Sequence, residues 1–240
     1  MIFELVKDLA KLALIVACVY YVFGAYVRHY QPAWSEPLEK RRLTTLLVLV
    51  LAASAVKVSE DVLGGESGPI DRAVLLFIHS HVSGTFTGFF EAVSLTGSSR
   101  FLFPLVALVT AGLWWTKKHF DALLVSASVI VAAVMIYLVK MMVGRVRPKL
   151  WETELYWGSS FPSGHTLAVA AFATAITLVV NRIWPKAGKL ALTFAIFWTA
   201  VVALSRLVLG VHWPTDVLVA ACVGAFLPLA MSVIFDLRKK

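Results

Sequence analysis

The sequence predicts an all-α fold class, a polytopic transmembrane helical bundle of about six or seven spans with its polar side chains gathered at one membrane face. Three observations predict it. The chain has 240 residues, 60% of them hydrophobic and only 15% charged, and a mean hydropathy of +0.83, too apolar for a soluble domain. Several apolar runs are long enough to cross a hydrocarbon core, which takes roughly 20 helical residues for about 30 Å. The same runs are too long and uniform for the short alternating strands of an outer-membrane barrel.

Seven runs fit: residues 9–27, 43–63, 101–116, 122–143, 165–180, 190–209 and 215–235. The first could also be a signal peptide, with Lys7 and Lys11 as its basic end and FGAY as a poor cleavage site; it is expected to be a retained helix. Residues 71–95 are interrupted by His79, His81, Ser83, Gly84 and Gly88, so they are expected to lie along the surface or re-enter. The whole reads as one domain, residues 1–100 giving N-terminal spans and an interfacial segment and residues 101–236 a helical core that carries the chemistry. Cys18 and Cys222 sit in apolar runs and read as packing residues, with neither zinc spacing nor a disulfide framework.

Threading the spans alternately collects Arg28, Lys40, Arg41, Arg42, Lys117, Lys118, Arg182, Lys186, Lys189, Arg238, Lys239 and Lys240 on one face, which is expected to be cytoplasmic. This excess accounts for most of the net charge of +8 and suits anionic lipid headgroups. The charges are spread over separate loops rather than one stripe, which argues against a nucleic-acid partner.

Three polar clusters fall on the opposite, outer face. In KMMVGRVRP, Lys140 and Arg147 are seven residues apart and share a face if the helix continues to Pro148, an arrangement suited to an anion. In SSFPSGHT, Pro162 breaks what precedes it and Ser163 is a good N-cap. The N–H groups of Gly164 and His165 then point out of a helix start, where the dipole favours negative charge. In SRLVLGVHWPTD, His212 and Asp216 are spaced i,i+4, so the carboxylate can fix one ring nitrogen and leave the other facing outward, and Arg206 ends the preceding helix. Each cluster also has a bland reading, as snorkelling cations, an ordinary capped helix or a structural His–Asp pair.

Taken together, Lys140-x6-Arg147-Pro148, then Pro162-Ser163-Gly164-His165, then Ser205-Arg206-x5-His212-x3-Asp216 resembles the signature of the type 2 phosphatidic acid phosphatase superfamily, in its membrane-bound branch. All eleven positions agree in type and spacing, and the resemblance covers about residues 101–235. It implies a phosphatase that needs neither metal nor cofactor and works through a phosphohistidine. On that reading His212 is the nucleophile, Asp216 its orienter and His165 the proton donor to the leaving group. Lys140, Arg147, Ser163, Gly164 and Arg206 would hold the phosphate. The implied partner is a lipid phosphate or diphosphate in the bilayer, with undecaprenyl diphosphate and phosphatidylglycerol phosphate as leading candidates. The implied place is a bacterial-type inner membrane, multi-pass, with the active site facing the periplasm or exterior. A phosphotransferase passing the group to another lipid, or a transporter or scaffold that only binds, are the competing readings.

Other groups receive local readings. His79 and His81 are expected in an interfacial loop, and Lys57 with Asp61 as a local charge pair. Arg100, Arg145, Lys149, Trp151, Glu152 and Trp157 fall near the entrance, the tryptophans as interface anchors and the cations as possible contacts to a second phosphate.

Overall fold

The structure, a computed structural model, describes residues 2–82, 84–148 and 158–237. Among the described residues the chain is helical throughout: α1 (Ile2–Tyr30), α2 (Ser35–Lys40), α3 (Arg42–Leu63), α4 (Gly68–His81), α5 (Thr87–Thr96), α6 (Ser99–Trp115), α7 (His119–Val143), α8 (Gly164–Ile183), α9 (Gly188–Val208) and α10 (Pro214–Leu237). Lys149, Trp151, Glu152 and Trp157 lie outside the described residues.

Five helical stretches have the length and apolarity of a span: Ala10–Tyr30, His119–Val143, Gly164–Ile183, Pro185–Val208 and Pro214–Leu237. The two other expected spans, α3 and α6, run between the same two ends of the bundle. The uncharged part of α3 reaches only from Leu43 to Val56, and α6 is a shorter apolar helix of 17 residues. The α4–α5 pair is bent by 91° at its break. It follows α3 and precedes α6, and both neighbours meet it at the same end of the bundle, so it enters and leaves on one side. Such a path fits either alternative of the sequence reading, a segment along the surface or a re-entrant one.

Half of the span window of α8 is buried, against 11% for α1, so α8 is the central helix and α1 a peripheral one. Leu102, Val125, Val169, Phe172 and Val202 join α6, α7, α8 and α9 in one core cluster. Ala132, Leu167, Ala171 and Ala220 join α7, α8 and α10 in a second. Small residues dominate that seam because association in lipid depends on close van der Waals approach rather than on expelling water. Large side chains such as Leu108, Met142, Phe197 and Trp115 point outward, as expected of a lipid-facing surface.

Two glycines set the turns that matter for the site. Gly144 ends α7 with φ 61°, and Gly210 follows α9 with φ 66°; both are left-handed positions that a Cβ disfavours. Pro214 then opens α10, where its missing N–H costs nothing. The ends of α7 and α9 and the starts of α8 and α10 therefore meet at one end of the bundle. At the other end, Arg41 bonds Ser232 and Asp236, Arg182 pairs with Asp121 at 2.5 Å, and Lys118 lies 5.8 Å from the Trp184 ring centroid.

Candidate active site

All three sequence clusters converge where these four helix ends meet. Lys140, in the last turn of α7, donates to the main-chain carbonyl of Ser159. Arg147 donates to the Val211 carbonyl at 2.8 Å and more weakly to the same Ser159 carbonyl at 3.4 Å. Its Nη1 stands 3.4 Å from His212 Nε2. The expected route to this convergence is corrected: α7 stops at Val143, so Lys140 and Arg147 do not share a helical face. The left-handed Gly144 turns the chain instead. The loop base is then closed by Ser160 N–H to the Arg145 carbonyl at 2.8 Å and Arg145 N–H to Ser159 Oγ at 2.9 Å.

Ser163 is the N-cap of α8 by position, and its carbonyl accepts from Leu167 N–H at 3.0 Å. Its hydroxyl does not cap, however; it pairs with Thr166 Oγ1 at 3.0 Å. The N–H groups of Gly164 and His165 belong to the first turn, which has no intrahelical acceptors for them. Ser163 N–H reaches across to the Asp216 carbonyl at 3.3 Å, tying the head of α8 to the head of α10. His165 shares the electrostatic environment of Arg206, His212, Lys140 and Arg147.

His212 and Asp216 are both buried. His212 Nδ1 lies 3.5 Å from Asp216 Oδ2, the long end of hydrogen-bond reach. Such contacts are often loose without substrate. Burial pushes the His212 imidazole down from its ordinary 6.5 to about 4; the contact with Asp216 opposes this, and Arg206 and Arg147 add to it. The ring is thus neutral at pH 7, with a lone pair available. Arg206 is almost fully buried and donates to Ser94 Oγ on α5.

A profile of the PAP2 superfamily matches residues 121–240. The chain belongs to that superfamily. Two solved structures share the PAP2 membrane fold. The structure described as the first transmembrane PAP2 type phosphatidylglycerolphosphate phosphatase from Bacillus subtilis is 25% identical, with a TM-score of 0.72 over 80% of this chain and 97% of that one. LpxE of Aquifex aeolicus is 21% identical, with a TM-score of 0.53 over 66% of this chain and 92% of that one. No curated protein matches the sequence. The PAP2 chain is an integral membrane protein, as its apolar helices and these neighbours indicate.

The PAP2 signature residues are therefore together, but sequence reasoning missed the groups that hold them. Arg145, read as an entrance cation, is instead clamped between two buried carboxylates. Its Nη1 meets Asp216 Oδ1 at 2.5 Å and its Nη2 meets Asp71 Oδ2 at 2.7 Å. It also bonds Thr215 Oγ1 at 2.9 Å and Ser67 Oγ at 3.1 Å, and its guanidinium lies 5.7 Å from the Trp213 ring centroid. Asp71 and Ser94 come from α4 and α5, outside the profile match, and nothing in their local sequence marks them. The loop expected for His79 and His81 is corrected: both lie in the last turn of α4, where His81 bonds its own helix through the Phe77 carbonyl at 2.8 Å. Lys57 and Asp61 form the expected pair at 2.5 Å.

Proposed function

We propose that this PAP2 protein is a membrane-embedded phosphatase that hydrolyses a lipid phosphate or diphosphate, without a metal, through a phosphohistidine on His212. The observation that carries this reading is a cationic cluster at the helix ends together with an apolar cavity walled by residues adjacent to it in sequence. The cavity, of about 760 Å³, lies between α3, α7 and α10. Its wall includes Leu63, Val139, Met142, Val219, Phe161 and Pro162. Phe161 and Pro162 directly precede Ser163, and Val139 and Met142 flank Lys140. A lipid with its phosphate among the cations can keep its tail in this cavity.

The chemistry follows from the groups present. Lys140, Arg147, Arg206 and the first-turn N–H groups of α8 can hold the peripheral oxygens of a phosphoryl group as charge develops. Asp216 keeps the proton on Nδ1 of His212, so Nε2 attacks phosphorus and the bond to the lipid oxygen breaks. His165 gives that oxygen a proton. Water then attacks the phosphorus as His165 takes its proton, the bond to His212 Nε2 breaks, and inorganic phosphate leaves.

The cationic loops at the opposite end of the bundle support an orientation with the site outside. The proposed location is a bacterial-type inner membrane. Undecaprenyl diphosphate remains a leading substrate, and the Bacillus subtilis neighbour supports phosphatidylglycerol phosphate equally.

The test is a phosphate-release panel on purified protein with both lipids, phosphatidic acid and a lipid A phosphate, in the presence of a chelator. Release of free phosphate without an added acceptor, abolished by His212→Ala, is expected. Strict dependence on a lipid acceptor would make the protein a phosphotransferase. Chelator sensitivity would overturn the metal-free mechanism, and activity retained in His212→Ala would leave only binding to explain.

A further inference from the structure

We propose that Asp71, acting through Arg145 and Thr215, is a positioning residue for the His212–Asp216 pair, so that α4 completes an active site whose signature residues all lie elsewhere. The inference rests on the reading of His212 as nucleophile.

Each oxygen of Asp216 has a separate task. Oδ2 accepts Trp213 N–H at 2.9 Å and faces His212 Nδ1. Oδ1 is held by Arg145. A carboxylate held at Oδ1 turns less freely, so Oδ2 stays 3.5 Å from His212 Nδ1, placed to accept its proton when the contact tightens.

Arg145 is in turn held by Asp71, which is fully buried in the first turn of α4. Asp71 does a second thing at the same place. Its Oδ1 accepts Thr215 N–H at 2.9 Å and its Oδ2 accepts the Thr215 hydroxyl at 2.7 Å. Thr215 immediately precedes Asp216 at the head of α10, so Asp71 satisfies an otherwise orphan helix-start donor from a different helix. One carboxylate therefore fixes both the backbone that carries Asp216 and the guanidinium that grips it.

The charge balance points the same way. Arg145 shares its positive charge between two carboxylates. With Asp71 neutral, Arg145 would pair wholly with Asp216 and draw off the negative charge that supports a positive imidazole. The other charged groups around His212 are Lys140 on α7, Arg147 after it, His165 on α8 and Arg206 on α9, and all of these are cationic or neutral. Among the described residues Asp71 is thus the second anion in a setting where Asp216 is otherwise outnumbered. The same segment contributes again through Ser94 on α5, the partner of Arg206.

The experiment measures phosphate release from phosphatidylglycerol phosphate and undecaprenyl diphosphate by the full chain, comparing wild type with Asp71→Asn, Asp71→Glu and Arg145→Lys. For Asp71→Asn we expect kcat to fall about 10–100-fold with KM within about threefold, as for other groups that orient a reacting residue, and the acid limb of kcat/KM to move to lower pH. Asp71→Glu should recover part of kcat. Arg145→Lys keeps the charge but loses the two-sided grip, and should lower kcat with KM unchanged; it decides the matter if Asp71→Asn does not fold. Wild-type kcat and pH profile in a folded Asp71→Asn, or in Arg145→Lys, would overturn the inference while leaving the phosphatase reading intact. A wild-type protein that releases no phosphate from any lipid would overturn both.

Discussion

Two sides of one short segment, the stretch from Gly144 to Pro148, differ in what their arginines meet. On one side Arg145 ends on carboxylates, Asp71 and Asp216, and its charge is consumed in holding them. On the other, Lys140, Arg147 and Arg206 donate to the carbonyls of Ser159 and Val211 and the hydroxyl of Ser94, and Arg147 Nη1 also stands 3.4 Å from His212 Nε2. The difference lies in the partners these cations are given, which residue type alone does not predict, and on the function proposed above the second set would hold the phosphate.

Substitutions can break this contrast, beginning with the group both sides serve. His212→Ala should lower kcat by about 10⁴-fold or more, as loss of a nucleophile does, in a protein that still folds; thermal unfolding alongside phosphate release checks this. Arg145→Ala should act on stability. It strands two buried carboxylates, a change that costs about 3–5 kcal/mol, and a clear fall in Tm is expected. Arg147→Ala should do the reverse, with kcat/KM down about 10²–10³-fold, the range for one lost transition-state donor, and little change in Tm. Equal falls in Tm for the two variants would erase the contrast.

Ser94→Ala removes the hydroxyl that orients Arg206 and should cost about tenfold in kcat/KM, in line with a hydrogen bond to a charged group. The smallest effect concerns pH. Because burial pushes the His212 imidazole down to about 4, against an ordinary 6.5, the neutral ring persists through mildly acid pH. Its contribution to the acid limb of kcat/KM should fall near pH 4 and not near 6.5. Stability runs with the opposite concern: from pH 6.5 down toward 4 the unfolded chain takes up a proton that the folded one refuses, so stability from this group is lost as pH falls through that window. A pH series of Tm values, with His212→Ala as reference, measures it.

Much of the fold and of the signature cluster was legible because each part is local. A helix start after Pro162, a His–Asp spacing before α10 and the length of the apolar runs are all contained in single stretches. The parts that were not legible depend on distance along the chain. Asp71 and Thr215 are brought together by the packing of α4 on α10, and Ser94 and Arg206 by that of α5 on α9. Neither Asp71 nor Ser94 differs locally from an ordinary helix residue. The convergence of Lys140 and Arg147 was expected for the wrong reason, since periodicity assumes a helix that Gly144 ends. Ser163 shows the same limit, because its hydroxyl had a neighbour in Thr166 that outcompeted the backbone.

The seam between α8 and α10 has a consequence for the width of the site. A Cβ on Gly224 would lie 2.5 Å from the Leu167 carbonyl oxygen and 2.6 Å from Ala170 Cβ. The two helices are therefore in contact at the backbone, about two turns below Asp216 and one turn below Ser163. Their heads hold Asp216 and the start of α8 at a fixed separation, bridged by the Ser163–Asp216 bond. The gauge of the proposed phosphate site is thus set partway down the bundle, by a side chain that is missing.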